Sequence, residues 1–300
     1  MRPRVLVLES IHPDGIAKLR QTCEVTVSFE TPLEVIGRAG TGTDNIDLVA
    51  AKARGIQVLT MPEGNAGSVA EFTVLQILAL CRNAYAIAQA VAANDFRRDR
   101  YQGNELSHQT VGIIGVGRIG QLVAQRLRPF GCRLIGFDID DALRPRFAEL
   151  GVAWTDSLEA LLAVSTIITL HVPRTPQTLG MIGARELALM KPGMRLINTS
   201  RGGIIVEAEL LKAVERGHVA GAAVDVLVQE PPFHTPPEQV TYTNPLLGHP
   251  NILITPHCAA STEEAQRAIT LNLVDAMGRI LSAAADRSPR PAAVMGAKHA

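Results

Sequence analysis

Short apolar, β-branched runs punctuate the chain at Arg4 to Leu8, Glu24 to Phe29, Glu34 to Arg38, Gln57 to Thr60, Val111 to Gly115, Arg133 to Asp138, Thr166 to His171, Arg195 to Thr199, Gly221 to Val226 and Ile252 to Thr255. Helically spaced stretches fill the intervals, and this alternation predicts an α/β protein whose parallel strands are joined by helical crossovers. Between the fourth and fifth runs, Val69 to Asn94 sets Val69, Phe72, Leu75, Gln76, Leu80 and Ala84 at helical spacing, which predicts one long helix. That helix is apolar enough to join two lobes or to form a dimer, and equally suits an ordinary place in the core. Pro231-Pro232 and Pro236-Pro237 predict a loop, and Ser282 to Ala300 reads as a loose tail.

Composition narrows the class of protein. A chain of 300 residues is long for one compact domain, so two lobes with a cleft between them are expected. With 47% hydrophobic and 19% charged residues, a disordered or collagen-like chain is excluded. Lys+Arg 29 balances Asp+Glu 29, so no global basic field exists to hold nucleic acid or an anionic membrane, and neither is expected as a partner. The four cysteines, Cys23, Cys81, Cys132 and Cys258, lie far apart without a C-x-x-C pair. They predict neither a metal site nor a disulfide framework, and they suit the reducing cytoplasm. The apolar run at the start is too short for a signal peptide, and Val74 to Cys81 is interrupted by Gln76, so no membrane segment is expected.

Candidate chemistry begins at Gly115-x-Gly117-x-x-Gly120, directly after a β-run and at the mouth of a helical pattern. In that setting Gly115 permits the tight turn, Gly117 lets backbone approach a pyrophosphate, and Gly120 lets the helix pack on the strand. Amides around Arg118 and Ile119 then face the phosphates from the helix N-terminus. The next run ends at Asp138, twenty-three residues after Gly115, where a carboxylate accepts from ribose hydroxyls and repels a 2′-phosphate. NAD is therefore the expected cofactor, in preference to NADP.

Further motifs carry a resemblance. Leu170-His-Val-Pro173, Met190 to Ile205 with its Asn-Thr-Ser-Arg-Gly-Gly core, Gly217 to Asp225, Gln229-Glu-Pro-Pro232 and Asn251 to Thr262, taken in order, resemble the NAD-dependent D-2-hydroxyacid dehydrogenase family. Upstream, Ile36 to Asp47 and Gly64 to Thr73 are most similar to its D-3-phosphoglycerate dehydrogenase branch. The resemblance implies an α/β, two-lobed fold: a Rossmann-type doubly wound parallel sheet over residues 65–259, and a smaller flavodoxin-like substrate lobe from 1–64 with 260–300. It implies Arg201, Glu230 and His257 as the catalytic set. Arg201 has the guanidinium fork to clamp a substrate carboxylate, and His257 titrates near working pH and can exchange a proton with the substrate oxygen. Glu230 can orient the ring from its other nitrogen and favour imidazolium. The resemblance also implies Thr199, Ser200 and Arg201 on the nicotinamide side, Asp225 at the carboxamide, His257, Cys258, Ala259 and Ala260 in the same pocket, and Pro173 beside the adenine. Thr41, Gly42, Asn65 and Arg201 are implied for the substrate, Asn65 at the hinge. Mild departures from the family pattern are Val206 in place of an acidic residue, Thr166 in place of Asp, and Ala259 in place of Gly.

A larger departure lies between Glu30 and Thr31, where the family carries a helix, a strand with a substrate-facing loop and a second helix, about thirty residues that this chain lacks. Spacing alone gives the same warning, because only four residues separate Phe29 from Glu34, whereas a parallel crossover needs about a dozen or more. The two runs must pair as a hairpin, or one must leave the sheet, or the lobe is incompletely formed. The expectation is a cytoplasmic, homodimeric, NAD-dependent 2-hydroxyacid dehydrogenase of the phosphoglycerate type, as in serine biosynthesis. With the chain stopping at Ala300, no C-terminal regulatory domain is expected. A glyoxylate or hydroxypyruvate reductase, and a catalytically weak NAD(H)-binding scaffold or corepressor-like sensor, are the alternatives.

Overall fold

The computed structural model describes residues 4–6, 13–22, 24–26, 35–40, 42–43, 46–232 and 235–287; Cys23 and Thr41 lie outside the described residues. The chain divides into two compact units, one made of residues up to Asn65 and from Thr262 onward, the other Ala66–Ser261.

The first unit opens with β1 (Arg4–Leu6), α1 (Pro13–Thr22) and β2 (Glu24–Thr26), followed by β3 (Val35–Arg38), α2 (Leu48–Ala53) and β4 (Gln57–Thr60). β1 pairs with β2 and β3 with β4, both in parallel, and among the described residues no ladder joins β2 to β3. The hairpin alternative is thereby corrected. Each run pairs instead with the strand at the far end of a helical crossover, the only route long enough for a parallel connection.

The second unit begins with a helix where one long element is expected, but two are found: α3 (Ala66–Arg82) and α4 (Ala84–Ala92), bent by 64°. Asn83 between them is left-handed, at φ 53°, and its side-chain amide donates to the Gln102 carbonyl. The Cys81 carbonyl accepts from the Asn104 amide at 2.8 Å, so a loop takes the acceptor that would have carried the helix on. The buried face of α3 is Ala66, Val69, Ala70, Thr73, Gln76, Ile77, Ala79 and Cys81, whereas Leu75 and Ala84 are exposed. Among the described residues, no single helix is long and apolar enough to cross a membrane.

The rest of this unit is doubly wound: β5 (Thr110–Ile114), α5 (Arg118–Leu127), β6 (Arg133–Phe137), α6 (Arg144–Glu149), β7 (Ala153–Trp154), α7 (Leu158–Val164), β8 (Ile167–Leu170), α8 (Ala184–Leu189), β9 (Met194–Asn198), α9 (Glu207–Glu215), β10 (Val219–Val224) and β11 (Ile252–Ile254). These seven strands form one parallel sheet in the order β11-β10-β9-β8-β5-β6-β7. β7, at the edge, is too short to register as an apolar run; Trp154 holds it, meeting Phe147 edge-on. Because helices cover both faces, the strands are apolar on both. Ile114, Ile168, Leu170 and Leu196 face Leu161, Leu187 and Leu210. Val111, Ile113, Ile167 and Ile197 face Ala70, Ile77, Val123 and Leu127 of α3 and α5. The order reverses between β8 and β5, and the carboxyl edge at such a switch point is where open parallel sheets take ligands.

Gln76 is the exception within this core. It is 1% exposed, and among the described residues neither its amide nitrogen nor its oxygen has a partner. A buried polar group without partners costs about 1–3 kcal/mol, so Gln76→Met is expected to raise the unfolding free energy by that order, read from urea midpoints at unchanged m-value.

The chain returns to the first unit through α10 (Glu263–Arg287). It continues past Ser282, so the expected loose tail is helical to Arg287. Its approach to α1 and β3 is close: a Cβ at Gly15 would lie 1.9 Å from Thr270 Cγ2, and one at Gly37 2.5 Å from Met277 Sδ.

Candidate active site

At the switch point, β5 runs through Gly115, at φ 89°, into α5, whose first residue follows Gly117. The glycines differ in what they exclude. A Cβ at Gly115 would lie 2.5 Å from the His171 carbonyl oxygen, and one at Gly120 2.2 Å from that of Gly115, so both positions are closed by backbone. A Cβ at Gly117 would meet nothing within 4 Å. That open space lies over the first turn of a ten-residue helix containing Arg118, Ile119 and Gly120, where amides and dipole favour an anion. The loop thus fits the pyrophosphate of a dinucleotide. Asp138 Oδ2 accepts from the Val116 amide at 2.7 Å and Oδ1 from the Asp140 amide at 3.1 Å, so this half-buried carboxylate also braces the loop. Pro173 is exposed, its carbonyl accepting from the Thr178 hydroxyl. His171 hydrogen-bonds Thr169 through Nε2, while its Nδ1 is sealed from solvent.

Burial pushes the His171 pKa down to about 3. The folded ring stays neutral where the unfolded one, near 6.5, takes a proton. Stability is therefore full above that value and falls as pH drops from about 6.5 toward about 3, by up to about 1.4 kcal/mol per pH unit. His171→Asn is expected to flatten that slope in melting temperatures measured between pH 7 and 4.

The second group of residues stands at the ends of β9, β10 and β11. Asn198, buried, closes β9: its Oδ1 accepts from the Ser200 amide and hydroxyl, at 3.0 and 2.7 Å, and its Nδ2 donates to the Arg201 carbonyl at 2.9 Å. The turn carrying Thr199, Ser200 and Arg201 is thus shaped by one side chain. Arg201 donates from Nη1 to the Ser200 carbonyl at 2.7 Å, which folds the guanidinium back over its own turn.

Asp225, 1% exposed, ends β10. Its Oδ1 accepts from the Thr255 hydroxyl at 2.5 Å and the Cys258 amide at 3.0 Å, and its Oδ2 from the Ala259 amide at 2.9 Å. Most of its acceptor capacity therefore serves the segment from Thr255 to Ala259. His257 adopts φ 54°, a conformation uncommon outside glycine, with its amide on the Asp225 carbonyl at 2.8 Å. This holds the ring against Glu230: His257 Nδ1 lies 2.8 Å from Glu230 Oε2, both side chains about a quarter to a third exposed. The other carboxylate oxygen of Glu230 accepts from the Leu227 amide. Behind it, Glu207 accepts from the Val228 amide and the Asn244 side chain, and Tyr242 donates to the Val228 carbonyl. Burial, then the charge of Asp225, pushes the Cys258 thiol up, away from thiolate chemistry.

In the first unit, Gly42 accepts from Arg38 Nε at 3.2 Å, and Asn65 is the residue before α3. The departures are accommodated locally. Thr166 Oγ1 accepts from the Thr110 amide at 3.0 Å, Val206 precedes α9 without a side-chain cap, and Ala259 is buried. Sequence reasoning missed Asn198, Glu207, Tyr242, Asn244 and Thr255; of these, only Asn198 has a local signal, a polar residue closing an apolar strand before Thr-Ser-Arg.

Residues 74–259 match the family described as D-isomer specific 2-hydroxyacid dehydrogenase, NAD binding domain. D-3-phosphoglycerate dehydrogenase of Methanocaldococcus jannaschii is 39% identical over 279 residues, 92% of this chain and 51% of that protein. The protein of the same name from Bacillus subtilis is 43% identical over 261 residues, 86% of this chain and 48% of its own. The chain spans about half the length of these curated relatives. Among solved structures, D-lactate dehydrogenase from Aquifex aeolicus, complexed with NAD and lactic acid, superimposes with a TM-score of 0.77 at 30% identity, covering 94% of this chain and 83% of that one. A parallel doubly wound sheet with a glycine loop at its switch point defines a dinucleotide-binding fold. The chain belongs to the D-isomer specific 2-hydroxyacid dehydrogenase family, and its second unit contains the family's NAD-binding domain.

Proposed function

We propose that this protein is a cytoplasmic NAD-dependent dehydrogenase, interconverting a small 2-hydroxy acid and its 2-oxo acid, with a phosphoglycerate-type substrate and a place in serine biosynthesis. The observation that carries the reading is the Glu230–His257 pair, 2.8 Å apart, in the same unit as the glycine loop. The Glu230 carboxylate accepts at Nδ1 and orients the ring, and Nε2 of His257 is the atom assigned to exchange the proton of the substrate oxygen. Arg201 offers two parallel donors to the substrate carboxylate and polarises the adjacent carbonyl. When bound, NADH supplies the hydride. His257 gives its proton to the carbonyl oxygen in the reductive direction and takes the hydroxyl proton in the oxidative one. The reading keeps Asp225 at the carboxamide, through the acceptor capacity its own loop leaves over. Cys258 and Ala260 line the same pocket, Pro173 lies at the adenine, and Thr41, Gly42 and Asn65 serve the substrate.

The test is NADH oxidation with phosphohydroxypyruvate, hydroxypyruvate, glyoxylate and pyruvate. Turnover on one of them with NADH, and much weaker turnover with NADPH, is expected from Asp138; equal use of both cofactors would count against the carboxylate argument. A second reading, an NAD(H) binder of weak turnover, is favoured by the two separate two-stranded ladders of the first unit. It predicts NADH binding with none of the four acids consumed. A homodimer is part of the proposal, since α4 is apolar and none of its residues is buried; light scattering after gel filtration measures it.

A further inference from the structure

We propose that Thr73, on the buried face of α3, is a positioning residue for the nicotinamide side of the site: it fixes the Thr199 hydroxyl as a donor turned into the helix, so that toward a ligand this hydroxyl can only accept. This rests on the reading that Thr199, Ser200 and Arg201 border the nicotinamide. Thr73 Oγ1 lies 2.8 Å from the Val69 carbonyl oxygen and 2.8 Å from Thr199 Oγ1. A hydroxyl has one proton, and a carbonyl can only accept. If Thr73 gave its proton to Thr199, its lone pairs would face those of the Val69 oxygen at contact distance. The proton therefore goes to Val69, one turn back in the helix, and Thr199 must donate to Thr73.

The neighbouring hydroxyl is committed in the same sense. Asn198 Nδ2 is bound to the Arg201 carbonyl, which fixes Oδ1 as the atom facing Ser200, and the Ser200 hydroxyl donates to it at 2.7 Å. Thr73 is 0% exposed, and Thr199 and Ser200 are buried, so no water freely resets these directions. Each hydroxyl has thus committed its one proton and can only accept from a further partner. A primary amide has an NH2 edge that donates and an oxygen that accepts. Such acceptors take the NH2 edge and repel the oxygen, so they favour the bound form in which the carboxamide turns its NH2 toward the end of β9. Thr73 acts through Thr199 and touches no ligand itself.

The test compares two ligands that share the phosphate loop: NADH, and ADP-ribose, which lacks the nicotinamide. Thr73→Val keeps the shape and removes the hydroxyl. It is expected to weaken NADH about ten-fold, the scale of one lost directional hydrogen bond, while leaving ADP-ribose within about two-fold, and Thr73→Ser is expected to restore NADH. Thr199→Val should show the same split, with the double variant no weaker than Thr199→Val alone, and it stands in if Thr73→Val does not fold. Unchanged NADH affinity in Thr73→Val, equal weakening of both ligands, or failure of Thr73→Ser to restore binding would overturn the proposal, since a purely structural tie moves both ligands together. Because the split is read from binding, a wild-type protein that binds NADH but reduces no 2-oxo acid sinks the dehydrogenase activity separately.

Discussion

His257→Ala is expected to lower kcat for 2-oxo acid reduction by about 10²- to 10⁴-fold, the usual cost of losing a positioned general acid, with NADH affinity close to wild type. The ring is held from two sides, by the Asp225 carbonyl on its amide and by Glu230 on Nδ1. The variant therefore leaves Asp225, Thr255 and the following amides able to keep the turn. Glu230→Gln should cost less, because the amide oxygen still accepts from Nδ1 but no longer carries a charge beside the imidazolium. Full activity in His257→Ala, measured at saturating NADH, would remove the residue from the mechanism.

Arg201→Met is expected to reduce kcat/KM by about 10²- to 10³-fold, the range seen when one preorganised donor is removed from developing charge. Arg201→Lys should recover only part of it, because an ammonium keeps the charge and loses the planar fork. The Arg201 carbonyl is held by Asn198, so the backbone of the turn is tied by a side chain that the substitution leaves in place. Melting temperature should thus stay near wild type. A loss confined to KM for the 2-oxo acid, with kcat intact, would assign Arg201 to uniform binding alone.

What the sequence made legible follows how local each signal is. Gly115, Gly117 and Gly120 could be placed because strand, turn and helix follow one another within a few residues. The same holds for Thr199 to Arg201 at a strand end. The bend at Asn83 was hidden because alanine-rich periodicity continues across it, and the cause is a carbonyl captured by Asn104. Thr73 and Thr199 are 126 residues apart, so their bond belongs to the way α3 lies on the sheet and leaves no mark in either segment. The short link after Phe29 excluded one pairing in the first unit without naming the pairing adopted. Asp225 was legible as a strand-end acid, but its hold on the Thr255, Cys258 and Ala259 donors appears only once β10 and β11 stand side by side.

The return of the chain through α10 has a bearing on synthesis. Every strand of the seven-stranded sheet has been made by the time Ile254 is translated, whereas β3 and the glycine face of α1 wait for Thr270, Leu273 and Met277 to cover them. Domains generally fold as units, in the order in which they leave the ribosome. Here that order is inverted: β3 and α1, made before the inserted domain, are enclosed only after it, once α10 has been made.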